Sequence, residues 1–257
     1  MPKKIAVITG ASSGMGRDFA LRLDERETFD EIWVIARRRE RLEALCDQLR
    51  APVRPIVMDL TDPVSLAEYR DLLAAEAPHV AVLVNAGGYG KFARHDEVSM
   101  EDTLGMIDLN CRALVAMTQY TLPYMQKGGQ IFQLGSLSSF QPVPYMNVYA
   151  ASKAFVLSYS RALNVELKPR GIRVMAVCPG WVRTEFFDRA EQGEKKTVTY
   201  FNRTYASDDV VKLAIQDMER GRDVSILGLP VRNQVRMVKL LPHKLIMSIW
   251  MKQQGLK

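Results

Sequence analysis

At 257 residues, 47% hydrophobic and 25% charged, the chain has the make-up of a globular protein and the length to bury roughly three quarters of its unfolded surface. Its net charge of +6 comes from lysines and arginines spread along the whole sequence, so no nucleic-acid partner is expected. Apolar runs stay short of the roughly 18 residues that a spanning helix needs, and Cys46, Cys111, Cys178, His79, His95 and His243 are too scattered for a disulfide frame or a metal site, which points to a reducing, cytoplasmic setting.

The opening MPKKIAVITG reads as a strand at 4–9, with no signal peptide. Further short, β-branched runs stand at 32–36, 53–58, 80–85, 130–135, 173–178 and 224–227. They are almost continuously apolar, as strands covered on both faces are. Amphipathic stretches at 16–23, 38–49, 63–77, 100–126, 148–168 and 207–221 alternate with them. Thr61-Asp62-Pro63 and Ser207-Asp208-Asp209 carry the chemistry of helix starts, and Gly171 and Gly221 stand where helices should stop. This alternation predicts an α/β fold, a doubly wound parallel sheet of the Rossmann type. No linker or repeat interrupts it, so a single domain over 1–257 is expected.

The first strand runs into TGASSGMG and then into a helix. Gly10, Gly14 and Gly16 at this point let backbone N–H groups and a positive helix end approach a pyrophosphate, with Ser12, Ser13 and Met15 completing the cofactor loop. The second strand ends at Ala36 without an acid and is followed by Arg37 and Arg38. An acid there would hold a ribose 2′-hydroxyl, whereas a guanidinium grips a 2′-phosphate, so NADP(H) is expected over NAD(H). Asp59 and Leu60 close the third strand, and Asp59 either bonds the adenine or prepares the turn before Thr61. The fourth strand ends in NAGGYG, where the small residues of Asn85, Ala86 and Gly87 either let the backbone lie along the cofactor ribose or simply form a glycine-rich loop after a strand.

The most informative string is YAASK. Tyr149 and Lys153 are four residues apart, so on a helix they share a face. A free phenol, with a pKa of about 10, exchanges protons poorly near neutrality. A neighbouring ammonium favours the phenolate, and Lys153 is therefore expected to draw Tyr149 down towards the working range. Tyr145 is a rival phenol, but it has no lysine four residues on.

The ordered set TGASSGMG, Asn85-Ala86-Gly87, Asn110, Ser136, YAASK and Pro179-Gly180 resembles the classical short-chain dehydrogenase/reductases over about the first 185 residues. The resemblance implies Tyr149 as proton donor and acceptor, and Lys153 as the cation that tunes it and holds the nicotinamide ribose. It implies Ser136 as the hydroxyl that polarises the substrate oxygen, although Ser138 and Ser139 compete for that role. Asn110 would position a water behind the lysine. Pro179, Gly180 and Val182 would lie against the nicotinamide, with Thr184 near its carboxamide or the phosphates. Ser13 stands where some NADP(H) members carry a basic residue, which leaves the 2′-phosphate to Arg37. The three-residue gap before Lys153 argues against the related enoyl reductases.

The reaction so implied is hydride transfer between nicotinamide and a carbonyl or secondary alcohol. An NAD-linked alcohol dehydrogenase and a non-catalytic NADP(H)-binding regulatory protein on the same fold are the alternatives. Phe140, Tyr145, Trp181, Phe186 and Phe187 flank the reacting residues and suit either a bulky apolar substrate or ordinary packing. Residues 184–205 are polar, show no strand pattern, and correspond to the family's substrate lid. In the extension 230–257, Leu241, Leu245 and Ile249 form a helical stripe among lysines. Burial of that stripe against a second subunit, the core or the pocket is favoured over contact with a membrane. The family resemblance implies a homodimer or homotetramer.

Overall fold

The structure, a computed structural model, describes residues 1–190, 198–201 and 203–256, apart from the side chain of Arg189. Seven parallel strands form the central sheet: β1 (Lys4–Thr9), β2 (Glu31–Ala36), β3 (Val53–Val57), β4 (His79–Asn85), β5 (Gln130–Leu134), β6 (Arg173–Val177) and β9 (Val224–Ser225). Their order is β3-β2-β1-β4-β5-β6-β9. The chain winds outwards from β1 through β3, then returns to β4 and winds the other way. That reversal leaves a crevice beyond the carboxyl ends of β1 and β4, which is where open α/β sheets bind ligands.

Strand periodicity explains why both faces must be covered. In β1, Ala6 and Ile8 face one layer, where they join Phe19 and Ala20 of α1 (Gly14–Arg26) and Leu42 of α2 (Arg39–Cys46). Ile5 and Val7 face the other, with Tyr69 and Leu73 of α3 (Pro63–Glu76). All four β1 side chains are fully buried. Each large aliphatic one contributes about 1.5–3 kcal/mol relative to exposure. Asp62 caps α3 by accepting from the backbone N–H groups of Val64 and Ser65, as its position before Pro63 predicts. Gly171 and Gly221 take positive φ values of 67° and 71° at chain reversals.

The helix expected over 100–126 is divided. α4 (Met100–Ile107) passes into a single π turn (Asp108–Ala113) before α5 (Leu114–Thr121). The inserted turn carries Asn110 inward, which no side-chain periodicity announces. α6 (Asn147–Glu166) holds YAASK in its first two turns. The region 184–205 contains more order than expected: after β7 (Trp181–Arg183) come α7 (Phe186–Ala190) and β8 (Thr204–Ala206), and β8 pairs in parallel with β7. A three-residue strand is too short to display alternation. Residues 191–197 and 202 of the expected lid lie outside the described residues.

α8 (Ser207–Glu219) covers the α1 side of the sheet. The final extension forms α9 (Leu229–Val238) and α10 (His243–Gln253), broken at Pro242.

Candidate active site

A cleft of about 1,140 Å³ opens at the carboxyl ends of β1, β4, β5 and β6. Its floor is the glycine loop. Gly10 has φ +65°, and a Cβ there would lie 2.8 Å from the Ala86 carbonyl carbon. At Gly16 a Cβ would overlap the Gly10 carbonyl oxygen. Side chains at these positions would fill the cradle. Ser13 stands at the start of α1 without a side-chain capping bond, so the first-turn N–H groups are left to a ligand. Ser12, Ser13, Gly14 and Met15 all line the cleft, as do Leu60, Ala86 and Gly87.

The two arginines expected at the 2′-phosphate differ in setting. Arg37 pairs with Asp59 at 3.5 Å and is well exposed. Arg38 turns to the glycine loop, donating to Ser13 Oγ at 2.9 Å and Ser12 Oγ at 3.0 Å, and to Glu185 Oε2 at 2.7 Å. Each arginine expected at the 2′-phosphate thus faces a carboxylate of the chain itself, Arg37 that of Asp59 and Arg38 that of Glu185. Asp59 itself accepts from Thr61 N at 2.9 Å and Thr61 Oγ1 at 2.7 Å, so its carboxylate is spent on the turn. Burial raises its pKa, but those bonds and Arg37 outweigh burial and hold it below the usual carboxylate range.

Ser136, Tyr149 and Lys153 line one wall together. Ser136 follows β5, and its hydroxyl is near enough to the Tyr149 phenol to favour the phenolate. Lys153 Nζ lies 5.8 Å from the Tyr149 ring centroid and donates to the Leu134 carbonyl at 2.6 Å. Of the rivals, Ser139 Oγ accepts from Ser136 N at 3.1 Å. Ser138 donates its backbone N–H to Ser136 Oγ at 3.2 Å, and its own hydroxyl is buried in the cleft lining without a partner. Tyr145 does not line the cleft.

The electrostatics run opposite to expectation. Burial pushes the Tyr149 phenol up to about 12, although the Ser136 hydroxyl opposes the rise. Burial also pulls Lys153 down to about 8. The pairing on one helix face is present, but desolvation dominates both shifts, because the same wall buries the two groups.

Asn85 and Asn110 lie behind the cleft and not in its lining. Asn85 Nδ2 donates to Gln133 Oε1 at 2.9 Å and Thr118 Oγ1 at 3.1 Å, within the layer beneath the sheet's end. Asn110 bonds the Tyr89 backbone in both directions and donates to Ser152 Oγ at 2.9 Å. It thereby fixes the loop that faces Lys153. In that loop Gly90 is required by close approach, since a Cβ there would sit 2.7 Å from Tyr149 Cδ2. NAGGYG contained the signal for it, an excess of glycine beyond what a turn needs.

Pro179, Gly180, Val182 and Thr184 form the opposite wall. The Pro179 carbonyl accepts from Leu137 N at 2.7 Å, which ties this wall to the serine segment. Trp181, Phe186 and Phe187 also line the cleft, whereas Phe140 and Tyr145 do not. Phe186 packs 5.4 Å from the Tyr149 ring, and Trp181 reaches Trp250 of α10 at 6.4 Å. Met237, Leu241, Ile246 and Ile249 close this end, so the C-terminal stripe is largely a pocket wall, with Leu245 left outside. Gln254 fastens the wall: its Oε1 accepts from Thr199 N at 3.0 Å and Tyr200 N at 2.9 Å. Sequence reasoning missed Glu185, Trp250 and Gln254, because nothing local marks a side chain whose partner is distant in the chain.

The short chain dehydrogenase family matches residues 4–195, and the chain belongs to that family. An uncharacterized oxidoreductase of Staphylococcus epidermidis is 31% identical over 196 residues, spanning 76% of this chain and 84% of that protein. The NADP-dependent 3-hydroxy acid dehydrogenase of Salmonella typhi is 32% identical over 245 residues, 93% of this chain and 94% of that one. A solved short-chain dehydrogenase from Sphingobium yanoikuyae in complex with NADPH shares 30% identity and a TM-score of 0.79, covering 96% of this chain and 95% of that one.

Proposed function

We propose that this short-chain oxidoreductase uses NADP(H) to interconvert a carbonyl and a secondary alcohol, with Tyr149 as the acid. The observation that carries the reading is the meeting of Ser136, Tyr149 and Lys153 in the cleft that also holds the glycine loop. The loop fits a dinucleotide on its own geometry: its glycines leave room that side chains would fill, and the start of α1 has free N–H groups. Arg38 supports the phosphorylated form of the cofactor. So do the NADP-dependent Salmonella relative and the NADPH-bound Sphingobium structure.

A bound nicotinamide would supply or accept the hydride. The chain's own part is to orient the substrate oxygen and move one proton. Ser136 and Tyr149 are two donors on one wall, suited to an oxygen that gains negative charge. With its phenol raised to about 12, Tyr149 keeps its proton through the neutral range and has one to give to a forming alkoxide. Lys153, near 8, exchanges protons readily at working pH and stands next to the phenol to restore it. The aromatic and aliphatic wall built by Trp181, Phe186, Trp250 and α9–α10 suits a bulky apolar ketone.

The test is NADPH consumption across ketones graded from small and polar to large and apolar. Tyr149→Phe should lower turnover by about 10²- to 10⁴-fold while leaving cofactor binding in place. A Tyr149→Phe enzyme with full turnover would remove the phenol from the mechanism.

A further inference from the structure

Arg38, Arg41 and Ser13 gather around one carboxylate, and it belongs to the chain itself. Glu185 Oε2 accepts from Arg38 at 2.7 Å, and Oε1 lies 3.4 Å from Arg41. Ser13 Oγ accepts from Arg38 at 2.9 Å, and after the two guanidinium groups it also helps to hold the same carboxylate in its charged form. Two guanidinium groups and a glycine-loop hydroxyl are a donor set for a tetrahedral oxyanion. Glu185 therefore supplies, from within the chain, the kind of charge that the 2′-phosphate would bring. It is partly exposed at 40%, so it can leave for water at modest cost.

We propose that Glu185 is a resident anion in the 2′-phosphate seat and sets how strongly the protein prefers NADP(H) over NAD(H). The proposal rests on the NADP(H) reading above. A 2′-phosphate must take Arg38 from Glu185, so part of its attraction is spent on the exchange. A 2′-hydroxyl makes no such demand and leaves the pairing intact. The carboxylate thus narrows the cofactor preference that the arginines create. It also precedes Phe186, which packs on Tyr149, so the residue that meets the phosphate adjoins one that walls the reacting phenol.

The experiment is calorimetric binding of 2′,5′-ADP and of 5′-ADP to the full chain, which reads the seat without turnover. Glu185→Gln should tighten 2′,5′-ADP by about fivefold, the size of one partly exposed ion pair. It should leave 5′-ADP within about twofold, and Glu185→Ala should do the same. The 5′-ADP arm removes the general effect of deleting a negative charge. If wild type prefers 2′,5′-ADP and both variants keep its ratio of affinities, the assignment of Glu185 is wrong while the NADP(H) reading stands. If neither wild type nor the variants distinguish the two ligands, both are wrong. A preference created only in the variants would support the proposal in its strongest form.

Discussion

The two halves of the cleft are built on different physical terms. The half that we propose takes the cofactor rests on backbone: glycines packed against carbonyls, and strand ends fixed by seven parallel strands. The half that we propose takes the substrate rests on side chains: an aromatic cluster around Trp181, two C-terminal helices, and a glutamine that holds residues 199–200. A backbone site tolerates almost no substitution and accepts one ligand shape. A side-chain site can be repacked to suit another substrate while the first half stays as it is. The contrast predicts where mutation will cost stability and where it will cost only specificity.

The largest effect is expected at Lys153, on the rigid side of that divide. Burial lowers it from an ordinary 10.5 to about 8. Between those values the unfolded chain holds more protons than the folded one, so stability should rise as pH increases through that window. Below about pH 8 the cost of a buried ammonium is fully present, up to about 3 kcal/mol. Lys153→Met should therefore be more stable than wild type at pH 7, and the gap should close towards pH 10. Tyr149 acts in the opposite sense higher up, because its proton, kept to about 12, is lost by the unfolded chain near 10. Urea titrations of both proteins from pH 7 to 9.5 would show it, and a gap independent of pH would refute it.

Next in size is a pair of glycines. Gly16→Ala forces a Cβ into the Gly10 carbonyl and should cost about 1–3 kcal/mol despite alanine's better helix propensity. Gly180→Ala meets only Val231 at 3.5 Å and Tyr205 at 3.9 Å, ordinary contacts, and should stay within about 0.5 kcal/mol. Thermal melts distinguish the two. Equal losses would mean that the walls, and not the loop, are the rigid part.

The same divide explains what could be read from sequence. The strands at 4–9 and 130–135, the loop at Gly10–Gly16 and the pair Tyr149–Lys153 are local patterns, and a local pattern survives in a string of letters. The π turn at Asn110, the grip of Asp59 on Arg37 and the meeting of Gln254 with Tyr200 join residues far apart or break a period, so nothing in the string marks them. The sign of the Tyr149 shift was illegible for a related reason. Lysine spacing is visible in a sequence, but the dryness of the wall around it is a property of the assembled fold.

The smallest effect should appear where the substrate half is fastened. Gln254 is buried and makes three hydrogen bonds to residues 199 and 200 through its amide. Gln254→Ala removes them but leaves the sheet and glycine loop untouched, so the global loss should be only about 1 kcal/mol. The change should instead loosen the wall that α10 forms with Trp181, and raise KM for large apolar ketones several-fold while 2′,5′-ADP affinity stays unchanged. If cofactor affinity fell in step with KM, the halves would be mechanically one unit, because a loosened side-chain wall would then be reaching the backbone cradle.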